Sequence, residues 1–503
     1  MLRRFGNVTC LCLSLAKCST DAVRRLVAAF KHKTLEKLEL DGMKMGSFKA
    51  LGQSLPELSA LQTLSIGASD GCILQLVFPV VSESLPRLKI CGLTKSSAEA
   101  VTTLIDVYRH KTFEELKLEN ILLTSAVAEV LGQLLPELSA LRTLRVHRLT
   151  DRSTTVTRLI DVLNHKTLEK LELSEIHLTS AVAESLGKSL PELSALQTLE
   201  MSGSDGCSLH LRFPVFSDDL HVTIRGLTEC SAEVVTGIVA GIKHKTLEKL
   251  EVSEIKLASA VTNFLATITI KHKTLTVLEL RNVNLTSAAV EGPSQLLPKL
   301  SALRALMISG LDECSAETVR DLFAAIQHKS LEKLILNKIR LTSAAAEALG
   351  QSLPELSALQ TLEISCGCNL EHEDVEALFG KFKRPSSLKE LRITDFKARG
   401  SFAQPIQNLF FFPCLEKLQL KGLDMSEADV PGLLENLKFM PDLRVLHLWD
   451  NPLGPAIRLM VPYLLKHQNL ESVVFPRTGC SIEDLDYVQN AVNEKRPQLR
   501  IKK

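Results

Sequence analysis

The residue types most able to do chemistry recur at fixed intervals along this chain. Histidine opens the same short phrase six times, at His32, His110, His165, His244, His272 and His328, and imidazole is a common metal ligand. The spacing opposes a metal. If each phrase leads into a strand, equivalent histidines on neighbouring strands stand about 5 Å apart and on alternate strands about 10 Å, whereas zinc needs several nitrogens each about 2 Å from one ion. A position at a helix C-terminus, where His and the following Lys face the negative end of the dipole, fits better. Gly187-Lys188-Ser189 ends like a phosphate-binding loop, but that pattern needs a glycine where Val182 stands. Sister phrases read Gly52-Gln53-Ser54 and Gly350-Gln351-Ser352, so the segment is expected to be helical. Cys10 with Cys12, and Cys366 with Cys368, are CxC pairs without the second half of a zinc site, and reduced thiols are expected. No HExxH occurs. No catalytic residue, metal or cofactor is assigned, and the chain is read as a non-enzyme.

Composition narrows the partners. The 503 residues carry 59 Lys and Arg against 58 Asp and Glu, a formal net charge of +1, where nucleic-acid domains usually hold a basic surplus. Aromatics are 4%, with one Trp, so stacking platforms for single strands are scarce. No nucleic-acid partner is expected. Hydrophobic residues at 45% suffice for a core. No stretch of eighteen apolar residues exists, so no membrane partner is expected either. Arg3 and Arg4 before Val8 to Ala16 faintly resemble a signal peptide, but Leu11 and Leu13 fall in phase with the repeat that follows. The expected location is cytoplasmic.

Two phrases alternate down the chain. One reads HKTLEKLEL at His32 and His165, with variants at His110, His244, His272 and His328; the other reads LPELSALQTLSI at Leu55, with variants at Leu135, Leu190, Leu297 and Leu353. Both contain LxxLxL, the leucine-rich-repeat signature. The penultimate apolar anchors are Leu11, Leu38, Leu64, Leu88, Leu116, Leu144, Leu171, Leu199, Val222, Leu250, Leu278, Leu306, Leu334, Leu362, Leu391, Leu418, Leu446, Val473 and Leu499, which predicts about 19 strands mostly 27 or 28 residues apart. Shorter intervals follow Leu64 and Leu199, each beside a similar phrase, SDGCILQLVFPV from Ser69 and SDGCSLHLRFPV from Ser204; a block of five repeats is duplicated. Anchor leucines such as Leu38 and Leu40 point inward while Lys37, Glu39 and Asp41 alternate outward. Between strands, Leu123 to Leu138 offers Thr124 or Ser125 as a helix cap, an apolar stripe including Val127, Leu131 and Leu135, and Pro136 at the end. Neither face can be buried by one repeat alone, so repeats must stack.

A period near 28 with a true helix and two alternating repeat types resembles the ribonuclease-inhibitor-like subclass of leucine-rich repeats. It also resembles the C-terminal region of animal NLR receptors, the nucleotide-binding, leucine-rich-repeat sensors of innate immunity. The closest phrase is LRVLHLWDNPLG, in which Leu446, Leu448, Asn451 and Leu453 match LxLxxNxL; Ile121, Ile176, Ile255, Val283 and Ile339 replace that Asn elsewhere. The expected fold is α/β, a single 1–503 leucine-rich-repeat horseshoe with a parallel sheet on the concave face and helices on the convex face. Residues 481–503 form a C-terminal capping segment, and an upstream domain or a partner is expected over the first repeat. The resemblance implies a recognition scaffold that binds a protein on its concave face and serves in innate immune sensing, without the nucleotide-binding domain. Regulators of an enzyme or GTPase and ubiquitin-ligase substrate adaptors share such folds and remain alternatives.

The candidate partner-binding residues are outward strand positions: Lys89, Lys117 and Arg145, then Glu172, Glu200, Glu251 and Glu279, and finally His447 and Trp449. Charge is segregated along this column, although Lys170, Lys249 and Lys333 beside it can pair with glutamates. A solvated mosaic and a binding face both fit the pattern. Trp449, the sole tryptophan, is the expected interface anchor.

Overall fold

A computed structural model describes residues 9–16, 18–30, 35–44, 47, 51, 61–68, 71–77, 87–92, 113–121, 127, 129, 131–133, 135, 138–149, 154–161, 163, 167–203, 205–213, 219–226, 234–239, 246–254, 274–282, 297–310, 316–326, 330–339, 341–366, 369–379, 387–399, 412–475 and 477–502. The chain forms two compact units, 1–245 and 246–503. Each is a stack of leucine repeats.

The first unit holds β1 (Cys10–Ser14), β2 (Lys37–Met43), β3 (Thr63–Ala68), β4 (Ile73–Val77), β5 (Arg87–Cys91), β6 (Glu115–Ile121), β7 (Thr143–Leu149), β8 (Lys170–Ile176), β9 (Thr198–Gly203), β10 (Ser208–Arg212) and β11 (Asp219–Arg225). Anchors pair in register, Leu11 with Leu38 and Leu38 with Leu64, then Leu88, Leu116, Leu144, Leu171 and Leu199 in turn, all parallel. Two strands beyond the sequence expectation are inserted. β4 runs antiparallel between β3 and β5, matching Leu64, Leu76 and Leu88, and β10 runs antiparallel between β9 and β11, matching Leu199, Leu211 and Val222. These are the two SDGC phrases. In both short intervals the chain turns straight back in an antiparallel hairpin. Ala68 N–H donates to Cys72 O at 2.6 Å and Gly71 N–H to Ala68 O at 3.1 Å; the copy repeats this with Gly203 to Cys207 at 2.6 Å and Gly206 to Gly203 at 3.2 Å.

The second unit contains β12 (Thr246–Ser253), β13 (Val277–Arg281), β14 (Ala305–Ser309), β15 (Lys333–Asn337), β16 (Thr361–Ser365), β17 (Asn369–Glu371), β18 (Glu390–Thr394), β19 (Lys397–Arg399), β20 (Lys417–Lys421), β21 (Val445–His447), β22 (Ser472–Val474) and β23 (Arg500–Lys502). Its main sheet is parallel throughout, with β17 and β19 forming a separate parallel pair. The last anchor moves by two residues: Val473 pairs with Ile501, while Leu499 lies buried in the turn before β23.

Inward strand residues are almost wholly buried, as Leu116, Leu118, Leu334 and Leu336 show. Helices cover this side. Ser180–Ser189 and Ser343–Ser352 start at Thr179 and Thr342, whose hydroxyls accept from the N–H of Val182 and Ala345 at 3.4 Å. Thr124, Ser125 and Pro136 lie outside the described residues, but Val127, Leu131 and Leu135 of that segment are buried as the stripe predicts. The position four residues after the anchor is left-handed in most repeats, with φ from 50° to 75° at Gly42, Gly92, Asn120, Glu175, Gly226, Glu254, Asn282, Gly310, Lys338, Asp395, Gly422, Asp450 and Arg477. That turn ends the strand and sends the chain across to the helix layer. Glycine is required at Gly92 and Gly226, where an added Cβ would come within 2.7 Å of Gly71 O and 2.6 Å of Gly206 O.

Candidate binding face

Outward strand residues form columns on the helix-free side of each sheet. Lys89, Lys117, Arg145, Glu172 and Glu200 align across β5 to β9, as their anchors dictate. Their neighbours on the same strands cross-link them. Arg145 lies 3.2 Å from Glu115 and 3.5 Å from Glu172; Lys170 reaches Glu172 at 3.7 Å and Glu200 at 3.0 Å; Arg87 reaches Glu115 at 3.1 Å. Lys117 and Lys89 both bind Glu119, at 2.5 and 2.7 Å. Those two ammonium groups hold the Glu119 carboxyl down to about 2 against the opposing effect of burial. Burial, and then the Glu119 carboxylate, push the Cys91 thiol up to about 11, so Cys91 is a protonated hydrogen-bond donor to Glu119 rather than a nucleophile.

In the second unit Glu251 and Glu279 are adjacent on β12 and β13. Lys249 binds Glu279 at 2.7 Å and Glu251 at 3.8 Å, and Arg281 binds them at 2.5 and 3.7 Å. Glu279 is buried, which alone would raise its pKa, but the hydrogen bonds from Lys249 and Arg281 outweigh this and lower it. Lys170 and Lys249 thus pair as the sequence suggested; Lys333 finds no carboxylate among the described residues. Pairs between exposed groups contribute about 0–1 kcal/mol each, so a partner can displace those at little cost, unlike the pairs to buried Glu279, and net surplus matters more than the number of charges.

The surplus lies on the last five strands of the main sheet. Their outward positions carry Arg392, Lys417, Lys421, Arg500 and Lys502 against Glu390, while Glu363 of β16 reaches Arg392 at 3.2 Å and Asp395 reaches Lys421 at 3.9 Å, which leaves Arg500 and Lys502 unmatched among the described residues. Glu390 takes both Arg392 and Lys417 at 2.8 Å. His447 stands amid this group, paired in register with Gln419 and Val474. Trp449 follows on the same side and stacks on it, with centroids 5.7 Å apart and planes 18° from parallel. Trp449 is half-buried rather than fully exposed, and its buried Nε1–H has no acceptor among the described residues. Burial lowers the His447 pKa, and the charges of Lys417, Lys502 and Arg392 lower it further. Lys417 and Lys502 escaped the sequence reading because a single column was followed; Lys417 stands in the neighbouring column, and the two-residue shift of the last anchor concealed Lys502.

The other motifs give no site. Gly187-Lys188-Ser189 closes the helix Ser180–Ser189, where Lys188 pairs with Glu184 at 2.8 Å. The six phrase-opening histidines and Cys368 lie outside the described residues. Cys10 and Cys12 are free, whereas Cys366 is disulfide-bonded, unlike the reduced state expected of it. Gly67-Ala68-Ser69-Asp70-Gly71 spells GxSxG. Ser69 and Asp70 lie outside the described residues; the strands on either side, β3 and β4, pair antiparallel, whereas a nucleophilic serine needs a strand-to-helix elbow, and the duplicate has Ser202 at the first glycine. Among the described residues no group of three or more His, Cys, Asp or Glu is placed to hold a metal, and no helix is long and apolar enough to cross a membrane.

No protein-family model matches the chain. Solved structures similar to it include the TLR13–ssRNA13 complex, at 14% identity over 100% of this chain and 62% of that chain, with a TM-score of 0.42. The yeast Rad7 and Elc1 complex matches at 16% identity over 75% of this chain and 86% of that one, with a TM-score of 0.37. An internalin (inlF) of Listeria monocytogenes matches at 12% identity over 83% and 87%, with a TM-score of 0.32. The fold assignment stands on the chain's own register of anchors: each unit is an α/β leucine-rich-repeat solenoid.

Proposed function

We propose that the chain is a non-catalytic recognition scaffold that binds a protein ligand on the helix-free face of its sheets, and that it serves NLR-like innate immune sensing in the cytoplasm without a cofactor. The carrying observation is the ordered presentation of side chains: strand after strand offers one outward column in register, tied by ion pairs weak enough to exchange for contacts with a partner. Lys89, Lys117, Arg145, Glu172 and Glu200 supply the contact surface in the first unit, and Glu251, Glu279, His447 and Trp449 supply it in the second. The sensing role rests on the resemblance of the repeats, above all Leu443 to Gly454.

A photo-crosslinking residue placed at Thr223 or Met307, both outward and half-exposed, should form discrete protein adducts in cells. The same residue at Lys188 or Lys438, on the helix side, should not. Adducts confined to the helix side would overturn the choice of face. Under the sensing role the outward adducts increase after cells are exposed to bacterial lysate; an unchanged pattern leaves the scaffold and removes the sensing.

A further inference from the structure

In each unit the helix-free face carries a stretch close to charge balance. Across β5 to β9 the cations of Arg87, Lys117, Arg145 and Lys170 are each within ion-pair distance of a glutamate, and across β12 and β13 two cations share two glutamates. The last five strands break this rule. Asp395 and Asp450, at the strand exits, are engaged by Lys421 at 3.9 Å and Arg477 at 3.8 Å. Arg500 and Lys502 have no carboxylate partner among the described residues. Beside them lies the His447–Trp449 stack, with a buried indole N–H lacking an acceptor among the described residues.

Resting on the protein-binding reading above, we propose that this end of the face takes an acidic segment of the partner, an Asp- or Glu-rich stretch of peptide. Its carboxylates lie against Lys502, Arg500 and Lys421, and its chain runs over the shelf made by His447 and Trp449. Charge complementarity selects the occupant, because the unpaired Arg500 and Lys502 steer and orient an anionic partner while the aromatic shelf supplies contact area. A nucleic-acid strand is also anionic, but it is held by successive bases stacking on separate aromatic platforms. Here the outward positions of β18 and β20 to β23, with Trp449 beyond β21, hold one indole and one imidazole, already stacked on each other. Burial and the surrounding cations keep His447 neutral near pH 7, so it serves as a hydrogen-bonding group and leaves the charge to the lysines and arginines.

Trp449 is the only tryptophan in the sequence, so intrinsic fluorescence of the full chain reports on this place directly. Octaglutamate peptide should change its emission saturably, with binding that weakens as salt rises from about 50 to about 300 mM. Octaglutamine should do nothing. The double variant Arg500→Glu/Lys502→Glu should bind octaglutamate at least tenfold more weakly, and the milder Lys421→Gln a fewfold more weakly. Unchanged far-UV circular dichroism and melting establish that each variant is folded. No saturable response, an equal response to octaglutamine, undiminished affinity in the variants, or tighter binding of polyuridylate than of octaglutamate overturns the proposal. If octaglutamate fails while outward crosslinks at Thr223 or Met307 persist, the acidic segment is wrong and the scaffold stands. If it binds and those crosslinks are absent, the site holds and the broader face is lost.

Discussion

Asn451 offers the sharpest quantitative test of how the repeats are held. It is fully buried in the turn after β21. Its Oδ1 accepts from the N–H of Leu423 at 2.9 Å and of Met425 at 3.4 Å, and its Nδ2 donates to the carbonyls of Leu420 at 2.8 Å, Trp449 at 2.9 Å and Leu448 at 3.2 Å. One side chain therefore ties two successive repeats together. Asn451→Ala leaves two buried N–H groups without this acceptor, at about 1–3 kcal/mol each, and opens a small void. A loss of about 3–5 kcal/mol follows. Asn451→Asp is worse at neutral pH, since a carboxylate then faces three carbonyl oxygens, and it recovers partly in acid as the carboxyl gains a proton that it can donate. The assay is urea unfolding followed by Trp449 emission and by far-UV circular dichroism. In a stack where each repeat touches only its neighbours, damage is local, so the fluorescence midpoint should fall while much of the dichroism signal holds. An Asn451→Ala variant less than about 1 kcal/mol below wild type by fluorescence, or one in which both probes shift together, would refute the argument.

Other outcomes can be checked in the same way. Gly92→Ala and Gly226→Ala should each cost about 2–3 kcal/mol in thermal or urea melts, because left-handed φ values of 61° and 66° are combined with a backbone oxygen within 2.7 Å of the new Cβ; similar losses are expected, since the duplicated hairpins share one geometry. Lys338→Gly should stabilise by about 0.5–1 kcal/mol, since Lys338 is exposed at φ 50° and a non-glycine residue pays for that conformation. The His447 imidazole should titrate below 6.5 by NMR. Because its folded pKa is lowered by burial and then by Lys417, Lys502 and Arg392, its contribution to stability is present above pH 6.5 and declines as pH falls toward the folded value; Lys502→Glu should move the midpoint upward. Arg496 is buried and donates to the carbonyls of Leu464, His467, Gln468 and Leu470. Arg496→Met should therefore cost about 2–4 kcal/mol, read as loss of amide-exchange protection in the helix Ile482–Lys495.

The strands were legible because their chemistry is periodic: an anchor that must be buried recurs with little variation, and eighteen of the expected anchors occupy matching register positions. The inserted strands β4 and β10 were hidden by that same regularity. A search for LxxLxL at one interval treats a short interval as a deletion, although Ser-Asp-Gly followed by alternating residues is a hairpin signal of its own. Leu499 misled because it is buried in a turn, and apolar character alone does not separate a turn residue from a strand residue. The candidate face was legible as a column of types, but not as a set of pairs. Glu119 and Glu390 each join two cations from different strands, and which charges remain in surplus depends on such cross-strand distances.

The two hairpin insertions also set the time order in which the first unit can assemble. Pairing of Leu88 with Leu116 brings together residues 28 apart in sequence, whereas Gly67 meets Ile73 across only six. Closing the shorter loop saves about 1.4 kcal/mol of chain entropy, and hairpins form in roughly 1–10 μs. The three-stranded meanders around β4 and β10 are therefore the low-contact-order islands of an otherwise long-range sheet. Folding can start at either one and spread outward repeat by repeat, so the duplication that copied a block of repeats also gave the unit a second nucleus.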